Sequence, residues 1–331
     1  MNSVLVFLEA KGNEVSRISL EAMAAGHALA TALDLPYDVA LVGPPSSLLL
    51  ATIHGKPPRT VYAIDHTLLH IYSSDAWCDA YAELIQARKP AYVIFPHTYQ
   101  VRDFAPRLAT RFGQVLISDV TGIEAGSGAQ PTFTRQLLQG KLNAAYRHTA
   151  SKDDYAPCFL SVQAGAFRAD PHEPGGTDLE PFEPQMHGCQ PRTKPGEPFR
   201  ASAQTVDLAS ASLLVSVGRG IKEAANLPIV EKLAEALGAE LAASRPICDA
   251  GWLPMERQVG SSGQTVAPRL YLAIGISGAI QHLVGMKGSQ CIVAINKDEN
   301  APIFEVANYG IVGDLFEIVP ALTAAVLKAK G

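Results

Sequence analysis

The first part of the chain alternates short apolar runs with longer stretches in which apolar residues recur at helical spacing. The apolar runs predict strands near Val4–Leu8, Asp38–Val42, Thr60–Ile64 and Tyr92–Phe95. The stretches between them predict helices near Ser16–Leu33, Asp75–Arg88 and Asp103–Arg111, with Ser16 as the cap of the first. Alternating strands and helices are typical of a layered sheet. We therefore predict a Rossmann-like α/β domain at the amino terminus.

The pattern changes between Val115 and Val162, where the apolar pieces become shorter and no helical spacing intervenes. These pieces predict strands near Phe133–Leu138, Asn143–His148 and Phe159–Val162. Because consecutive short strands usually pair as hairpins, we expect an antiparallel extension of the first sheet.

Proline and glycine then accumulate between Asp170 and Phe199, and no hydrophobic period continues through them. This composition predicts a linker over residues 171–198, between a domain at residues 1–170 and a second domain at residues 199–331. Few contacts cross such a linker, so we expect the second domain to change its orientation.

The second domain shows apolar runs that end in glycine or polar turns. Leu213–Val217 is followed by Gly218-Arg219-Gly220 and then by helical spacing at Pro228–Leu237. Leu270–Ile274 stops at Gly275-Ile276-Ser277-Gly278, and Cys291–Ile295 stops at Asn296-Lys297-Asp298. In parallel sheets ligands bind at the carboxyl ends of strands, where glycine lets the backbone approach a phosphate. We therefore predict a second parallel α/β sheet that binds a dinucleotide at Gly275, Ser277 and Gly278.

Composition excludes several other classes of protein. The 331 residues carry a formal net charge of −5 and no dense Lys/Arg tract, which argues against a nucleic-acid-binding surface. Charges or prolines interrupt the apolar stretches well before the ~20 residues that a membrane span needs. A strand pattern begins almost at the first residue, so we expect a cytoplasmic protein. The five cysteines show no C-x-x-C spacing, and we expect neither a disulfide framework nor a metal site.

The carboxy-terminal third contains several runs whose identity and order are characteristic. They are VSVGRGI (Val215–Ile221), ASRPICDAGWLP (Ala243–Pro254), QVGSSGQTVAP (Gln258–Pro268), GISGAIQH, VAINKD, APIF and YGIVGDLF. In this order they resemble the FAD-binding domain of the electron-transfer flavoprotein alpha subunit (FixB) family. The first two thirds resemble the amino-terminal domain of that family more loosely, through VLVFLEA, FPHTYQVRDFAPRLATRF and QAGAF.

The resemblance implies FAD as the cofactor and gives three residues roles at its ring. Arg245 matches an arginine that lies over the isoalloxazine, and His282 matches a histidine that hydrogen-bonds the N1/O2 edge. Ser262 stands where many members have a threonine whose hydroxyl meets N5. A donor or cation at these edges favours the one-electron-reduced flavin, because that form carries extra negative charge.

The remaining positions follow the dinucleotide away from the ring. The resemblance implies positions near the ribityl and diphosphate for Gln258, Ser261, Ser277 and Gly278. It implies positions around the adenosine for Asn296 and Asp314. The complete candidate FAD-binding set is Arg219, Ser244, Arg245, Gln258, Val259, Gly260, Ser261, Ser262, Gly275, Ser277, Gly278, Ala279, Gln281, His282, Asn296, Lys297, Asp298, Asp314 and Leu315.

Individually, these residues have simpler interpretations. Arg245 taken alone is a surface ion-pair partner, and His282 taken alone is a helix histidine with a satisfied ring. Arg219 suits a structural or partner-facing role, and Asp314 suits a helix cap that could also contact ligand. His97, which follows the strand near Tyr92–Phe95, is interpreted as sheet-edge architecture, because no nucleophile or paired acid accompanies it in the sequence.

The resemblance implies an electron carrier rather than an enzyme. Such a chain is the alpha subunit of a heterodimer with a beta subunit, which holds AMP or a second FAD. Dehydrogenases, for example acyl-CoA dehydrogenases, donate the electrons, and a membrane electron-transfer-flavoprotein quinone oxidoreductase accepts them. An NAD-dependent oxidoreductase or transferase on a related fold is the alternative, and a nucleotide-binding regulatory protein is a third hypothesis.

Overall fold

A computed structural model shows two compact α/β units. It describes residues 3–11, 14–43, 53, 57–125, 130–138, 140–149, 155–169, 178–193, 195–196, 208–209 and 211–330. The first unit comprises Met1–Leu137 and Lys141–Pro198, and the second comprises Leu138–Gly140 and Phe199–Gly331. The prediction of two α/β domains, the second with a parallel sheet, is confirmed.

Among its described residues, the first unit contains one large sheet, a small two-stranded sheet and three helices. Its strands are β1 Val4–Leu8, β2 Ala10–Lys11, β3 Glu14–Val15, β4 Tyr37–Val42, β5 Thr60–Ile64, β6 Tyr92–Pro96, β7 Leu116–Glu124, β8 Thr132–Leu137, β9 Leu142–Arg147, β10 Cys158–Val162 and β11 Asp178–Phe182. Its helices are α1 Arg17–Leu33, α2 Ser74–Arg88 and α3 Tyr99–Arg111, with a 3₁₀ turn at Thr67–Leu69. The large sheet has the order β11-β5-β4-β1-β6-β10-β7-β8-β9.

Strand β1 shows how the large sheet becomes the centre of this unit. Leu5 and Phe7 pack with residues of α2 and α3, whereas Val4, Val6 and Leu8 pack with residues of α1. Successive side chains of a strand point to opposite faces, so a wholly apolar run of five residues serves two helical layers. Ser16 caps α1 as predicted, since its hydroxyl accepts a hydrogen bond from the Ser19 N–H at 3.3 Å.

The prediction for Phe159–Val162 is wrong in its pairing. Only β7, β8 and β9 form the antiparallel extension, while β10 lies between β6 and β7 and runs parallel to both. All five residues of β10 are buried, as in a central parallel strand that is covered on both faces. The local pattern identifies a strand here, but the choice of its neighbours depends on the path of the chain between strands.

Part of the predicted linker belongs to the first sheet. Strand β11 pairs in parallel with β5 as an edge strand, and Glu180 on it forms an ion pair with Arg88. Pro181 is compatible with this position because an edge strand has one side on which a missing N–H breaks no ladder. Met186 beyond the strand is also buried. Residues 171–177, 194, 197 and 198 of the predicted linker lie outside the described residues.

The second unit contains a five-stranded parallel sheet with the order β13-β12-β14-β15-β16. Its strands are β12 Leu213–Val217, β13 Glu240–Ala243, β14 Leu270–Ile274, β15 Ile292–Asn296 and β16 Tyr309–Val312. Its helices are α4 Leu227–Leu237, α5 Arg245–Asp249, α6 Ile280–Met286, α7 Ile303–Val306 and α8 Leu315–Lys330, with 3₁₀ turns at Arg219–Ile221, Ala224–Asn226 and Met255–Arg257.

The strand order of this sheet determines where a ligand can bind. Strand β12 comes first in the chain and has β13 on one side and β14 on the other. The chain passes from β12 to β13 on one side and then crosses to β14 on the other, and this reversal opens a crevice at the carboxyl ends of β12 and β14. Helices α4 and α8 cover one face of the sheet through Val230, Leu233 and Val319.

Two further observations concern the chain as a whole. Within the residues that the structure describes, no helix is both long and apolar enough to cross a membrane. The five cysteines are free thiols, and Cys78, Cys158 and Cys248 are buried.

Candidate functional site

A cleft of about 460 Å³ lies at the carboxyl edge of the second sheet, near the ends of β12, β13 and β14. Its volume is in the range of small-molecule sites. The residues that line it are Gly218, Arg219, Ser244, Arg245, Pro246, Gln258, Val259, Gly260, Ser261, Ser262, Gly275, Ile276, Ser277, Ala279, Gln281 and His282. Four segments that are distant in the sequence therefore meet at one place.

The turns after β12 and β14 touch each other at the base of the cleft. The Gly220 N–H donates to the Gly275 carbonyl oxygen at 3.0 Å. Gly275 has φ of +62°, and a Cβ at this position would lie 2.8 Å from the Gly220 Cα. Glycine at Gly220 and Gly275 thus lets two backbone turns pack directly together, which forms the base of the cleft.

The loop that carries Ser261 and Ser262 is anchored on both sides. The Val259 N–H donates to the Ala243 carbonyl at the end of β13, and the Ser261 N–H donates to the Gln281 carbonyl of α6 at 2.7 Å. Inside this loop the Gln258 side chain, which is 1% exposed, donates through Nε2 to the Ser262 hydroxyl oxygen at 2.9 Å. Ser262 thereby accepts one hydrogen bond and keeps its own hydrogen to donate.

His282 lies in the wall of the cleft with only 6% of its surface exposed. Its Nε2 atom is 2.9 Å from the hydroxyl oxygen of Tyr271, a residue of β14. Burial lowers the pKa of His282 to about 4, and the Val259 backbone opposes this shift. The ring is therefore neutral at neutral pH. Nδ1 is buried and makes no hydrogen bond of standard geometry to any described residue.

Arg245 begins the short helix α5 and lines the cleft from a more exposed position. Its side chain is 65% exposed, and Nε donates to the Asp249 carboxylate at 3.2 Å, one turn further along the helix. An exposed pair of this kind contributes only about 0–1 kcal/mol, so the guanidinium can exchange Asp249 for another anion at little cost. Arg219 is also exposed beside the cleft.

Six residues of the candidate set do not line the cleft, although they follow the same edge of the sheet. They are Gly278, Asn296, Lys297, Asp298, Asp314 and Leu315. The Asn296 side chain donates to the Ile276 carbonyl at 2.9 Å. Lys297 lies 2.8 Å from the Asp314 carboxylate, and this hydrogen bond, together with one from the Phe316 N–H, holds the pKa of Asp314 below its usual value. Asp314 thus caps α8, as predicted.

The other three have packing or turn roles. A Cβ at Gly278 would collide with the backbone of Ile303 in α7, so its glycine is explained by close packing. The Asp298 carboxylate accepts from the Asn300 N–H at 3.0 Å within its own turn. The Leu315 side chain packs near Gly275, where an added Cβ would lie 3.0 Å from it.

The amino-acid sequence was then compared with known families. The family described as "Electron transfer flavoprotein FAD-binding domain" matches residues 207–287, and "Electron transfer flavoprotein domain" matches residues 4–185. The electron transfer flavoprotein subunit alpha of Thermoanaerobacterium thermosaccharolyticum is 34% identical over 99% of this chain and 98% of its own length. The Bacillus subtilis subunit is 36% identical over 97% and 96%. The chain belongs to the electron transfer flavoprotein alpha-subunit family.

Protein FixB of Azotobacter vinelandii is also similar, at 36% identity over 99% of this chain and 91% of its own length. The predicted family is therefore confirmed along nearly the whole alpha-subunit chain. The cofactor is FAD, since the matched domain is an FAD-binding domain. The protein is an electron carrier rather than an enzyme with its own small-molecule substrate.

The cleft of this alpha subunit fits a polar dinucleotide on two grounds of its own geometry. His282 Nδ1 and Gln258 Oε1 are buried in its wall without a hydrogen bond of standard geometry to a described residue, although the Val259 backbone lies near enough to the His282 ring to affect its pKa. Buried polar atoms of native proteins are almost always paired, and an unpaired set marks a place where a ligand or water completes the bonding. The glycine turns also leave the base of the cleft free of side chains.

The set predicted from the sequence lacks three residues that line the cleft: Gly218, Pro246 and Ile276. Gly218 belongs to the turn Gly218-Arg219-Gly220, which is a weak nucleotide fingerprint because its third glycine is absent. The position of Gly218 after β12, the first strand of the second sheet, is the signal that could have identified it.

Proposed function

We propose that the alpha subunit binds FAD in the cleft at the ends of β12 and β14 and pairs with a beta subunit. In this proposal the heterodimer takes electrons from dehydrogenases, such as acyl-CoA dehydrogenases, and passes them to a membrane-bound electron-transfer-flavoprotein quinone oxidoreductase. The single observation that supports the location is the cleft itself, which gathers thirteen predicted FAD-binding residues and holds two buried polar atoms that make no hydrogen bond of standard geometry to a described residue.

Three side chains are assigned to the flavin ring in this proposal. His282 offers a neutral hydrogen-bond donor or acceptor from the buried wall, and Ser262 offers a hydroxyl hydrogen because Gln258 already occupies its oxygen. Arg245 offers a mobile positive charge at the rim, because its exposed pair with Asp249 is weak. A cation and donors placed around the ring stabilise added negative charge more than they stabilise the neutral oxidised ring.

The remaining groups are assigned to the rest of the dinucleotide. Gln258, Ser261 and Ser277 lie in the cleft, where they suit the ribityl and diphosphate. Asn296, Lys297 and Asp314 continue along the same edge toward the expected adenosine. Bound FAD would supply the one- and two-electron redox chemistry, and the residues of the chain bind it, orient it and limit the access of water.

Copurification with the beta subunit tests the proposal. The chain, coexpressed with a beta subunit of the family, should copurify with it as a yellow complex with a flavin absorbance spectrum, at about one FAD for each cleft. Colourless protein, or protein that carries nicotinamide, would refute the assignment. The family match to an FAD-binding domain leaves the NAD-dependent alternative without an observation in its favour.

The electron donor and acceptor need a separate measurement. The oxidised complex should lose its flavin absorbance when an acyl-CoA dehydrogenase and its substrate are added, and regain it when the quinone oxidoreductase and a quinone follow. If dithionite reduces the complex but no dehydrogenase does, the carrier role is still supported and the proposed donors are wrong.

The cleft location is tested by removing one charge at each of the two opposite edges of the second sheet. Arg245→Ala removes the cation from the cleft rim, while Arg269→Ala removes an exposed cation at the amino end of β14, on the opposite edge of the sheet. Only Arg245→Ala should change the flavin spectrum or affinity. Equal effects of the two substitutions would place the flavin elsewhere.

A further inference from the structure

Tyr271 lies directly behind His282, on the side of the ring away from solvent. It belongs to the central strand β14, is 0% exposed, and places its hydroxyl oxygen 2.9 Å from His282 Nε2. Tyr271 does not line the cleft. Any influence that it has on a bound ligand must therefore pass through His282, so the direction of the hydrogen bond between the two side chains matters.

The phenol is a donor that cannot lose its hydrogen at neutral pH. Burial raises the pKa of Tyr271 well above its ordinary value of 10.0, and the nearby Ser216 side chain opposes this shift. Ser216 on β12 pairs with Ala273, so it projects on the same face of the sheet as Tyr271. It is 0% exposed, and its hydroxyl has no partner of standard geometry among the described residues.

The surroundings of the phenol give its hydrogen bond a direction. His282 Nε2, at 2.9 Å, is the acceptor of standard geometry that the buried phenol has among the described residues, so the hydrogen of Tyr271 is directed at it. Since burial keeps the imidazole neutral, only one of its two nitrogens carries hydrogen. When Nε2 accepts from Tyr271, that hydrogen must be on Nδ1, which is the ring nitrogen with no hydrogen bond to a described residue.

We infer that Tyr271 is a positioning residue that holds His282 in the Nδ1–H tautomer, so that His282 presents a neutral hydrogen-bond donor to the polar edge of the bound flavin. This inference rests on the proposed function for the part that concerns FAD. The tautomer itself is a property of the protein and needs no cofactor. Without Tyr271 both tautomers of a buried neutral histidine are accessible, and the donor is present for only part of the time.

Nitrogen NMR decides the tautomer directly. The heterodimer, labelled with ¹⁵N-histidine and stripped of flavin, should show His282 as a neutral ring with hydrogen on Nδ1 and a bare Nε2. The His282→Gln complex identifies the signal, because it lacks that resonance alone. A wild-type ring with hydrogen on Nε2 would overturn the inference, whatever the variants show.

Substitution of the phenol then tests its role. Tyr271→Phe removes one oxygen and should convert His282 to a mixture of tautomers, lower the midpoint potential of bound FAD and weaken FAD binding about fivefold. The matched control is Tyr309→Phe, the same change at a tyrosine that is 67% exposed on β16, and it should change none of these quantities.

The outcomes separate this inference from the proposed function. If Tyr271→Phe keeps the wild-type tautomer and the wild-type FAD potential, Tyr271 only fills space and the inference is wrong. If the wild-type complex does not bind FAD, the proposed function fails, but the nitrogen shifts still decide whether Tyr271 orients His282. If Tyr271→Phe does not fold, the wild-type spectrum decides, because hydrogen on Nε2 would overturn the inference.

Discussion

Both units carry a histidine at the carboxyl edge of their parallel sheet, but the neighbours of the two rings differ. In the first unit the Thr98 hydroxyl donates to the Glu9 carboxylate at 2.6 Å. His97 Nδ1 lies 2.9 Å from the Ser161 hydroxyl, which accepts from the Asp119 N–H at 3.2 Å. Thr98 and Glu9 therefore form one hydrogen-bonded pair, and His97, Ser161 and Asp119 form a second group.

In the second unit the carboxyl edge of the sheet borders the cleft. His282 Nε2 lies beside the Tyr271 hydroxyl, and its other nitrogen, like Gln258 Oε1, makes no hydrogen bond of standard geometry to a described residue. The Gln100 amide nitrogen at the first edge is also buried without such a bond. The comparison teaches that an unpaired buried atom does not by itself mark a ligand site, whereas at the second edge two such atoms line a cleft.

The first unit contains three residues whose types are those of a catalytic site. Ser161, His97 and Asp119 are the residue types of a hydrolytic triad, and His97 Nε2 is 3.9 Å from the Asp119 carboxylate. Ser161 is 0% exposed, however, so no substrate reaches its hydroxyl. The cluster is consistent with the interpretation of His97 as sheet-edge architecture.

The largest expected effect is an opposite pH dependence of stability in the two units. The pKa of His282 is 6.5 in the unfolded chain and about 4 in the folded chain. Between these two pH values the unfolded ring binds a proton and the folded ring does not. The second unit therefore loses about 3 kcal/mol of unfolding free energy as pH falls through this window. Burial raises the pKa of Glu9 from 4.5 to about 7, so the first unit loses about 3 kcal/mol as pH rises from 4.5 to 7.

Urea unfolding at a series of pH values measures both dependences. Trp252→Phe leaves Trp77 to report on the first unit, and Trp77→Phe leaves Trp252 to report on the second. Glu9→Gln and His282→Gln should each flatten the curve of their own unit only. If both units change with pH in the same direction, these two groups do not control the dependence.

A slightly smaller effect should come from adding one methyl group at the base of the cleft. Gly275→Ala should destabilise the second unit by about 2–3 kcal/mol, because it adds a clash with Gly220 to a strained positive φ. Gly113→Ala is the matched control in the first unit, since Gly113 has a similar φ of +66° but open space around its Cβ position. It should cost only about 1 kcal/mol. Equal losses in denaturant midpoints would show that the two turns need not touch.

The next effect concerns the charge at the cleft rim. Arg245→Ala should reduce the stability of the reduced flavin by about 1–2 kcal/mol, and should lower its midpoint potential more than it lowers FAD affinity. Potentiometry on the complex, with Arg269→Ala beside it, measures this. An unchanged potential would mean that the guanidinium remains with Asp249 or water when FAD is bound.

The smallest expected effect concerns Asp249, the carboxylate that pairs with Arg245. Asp249→Asn removes the exposed partner of Arg245 and should change the unfolding free energy by less than about 0.5 kcal/mol. It should nevertheless raise the flavin potential slightly, because the guanidinium loses a competing anion. A potential shifted downward would contradict the idea that Asp249 holds Arg245 away from the ring.

Much of the fold could be predicted from local patterns in the sequence. The predicted bounds of Val4–Leu8, Thr60–Ile64, Leu213–Val217 and Leu270–Ile274 agree with the structure, as does the cap at Ser16. Such features depend on side-chain periodicity and on hydrogen bonds between residues that are close in sequence. The family, and with it FAD, was also recognisable, because the characteristic runs keep their order along the chain.

Tertiary structure decided which strands are neighbours and which polar groups are paired. It placed β10 between β6 and β7 and added β11 to the edge of the sheet from a segment rich in proline. It also placed Tyr271 behind His282, although neither residue type nor spacing distinguishes His282 from the satisfied His97. Sequence determines what each segment can form, whereas pairing and burial depend on contacts between distant segments, which exist only after the chain has folded.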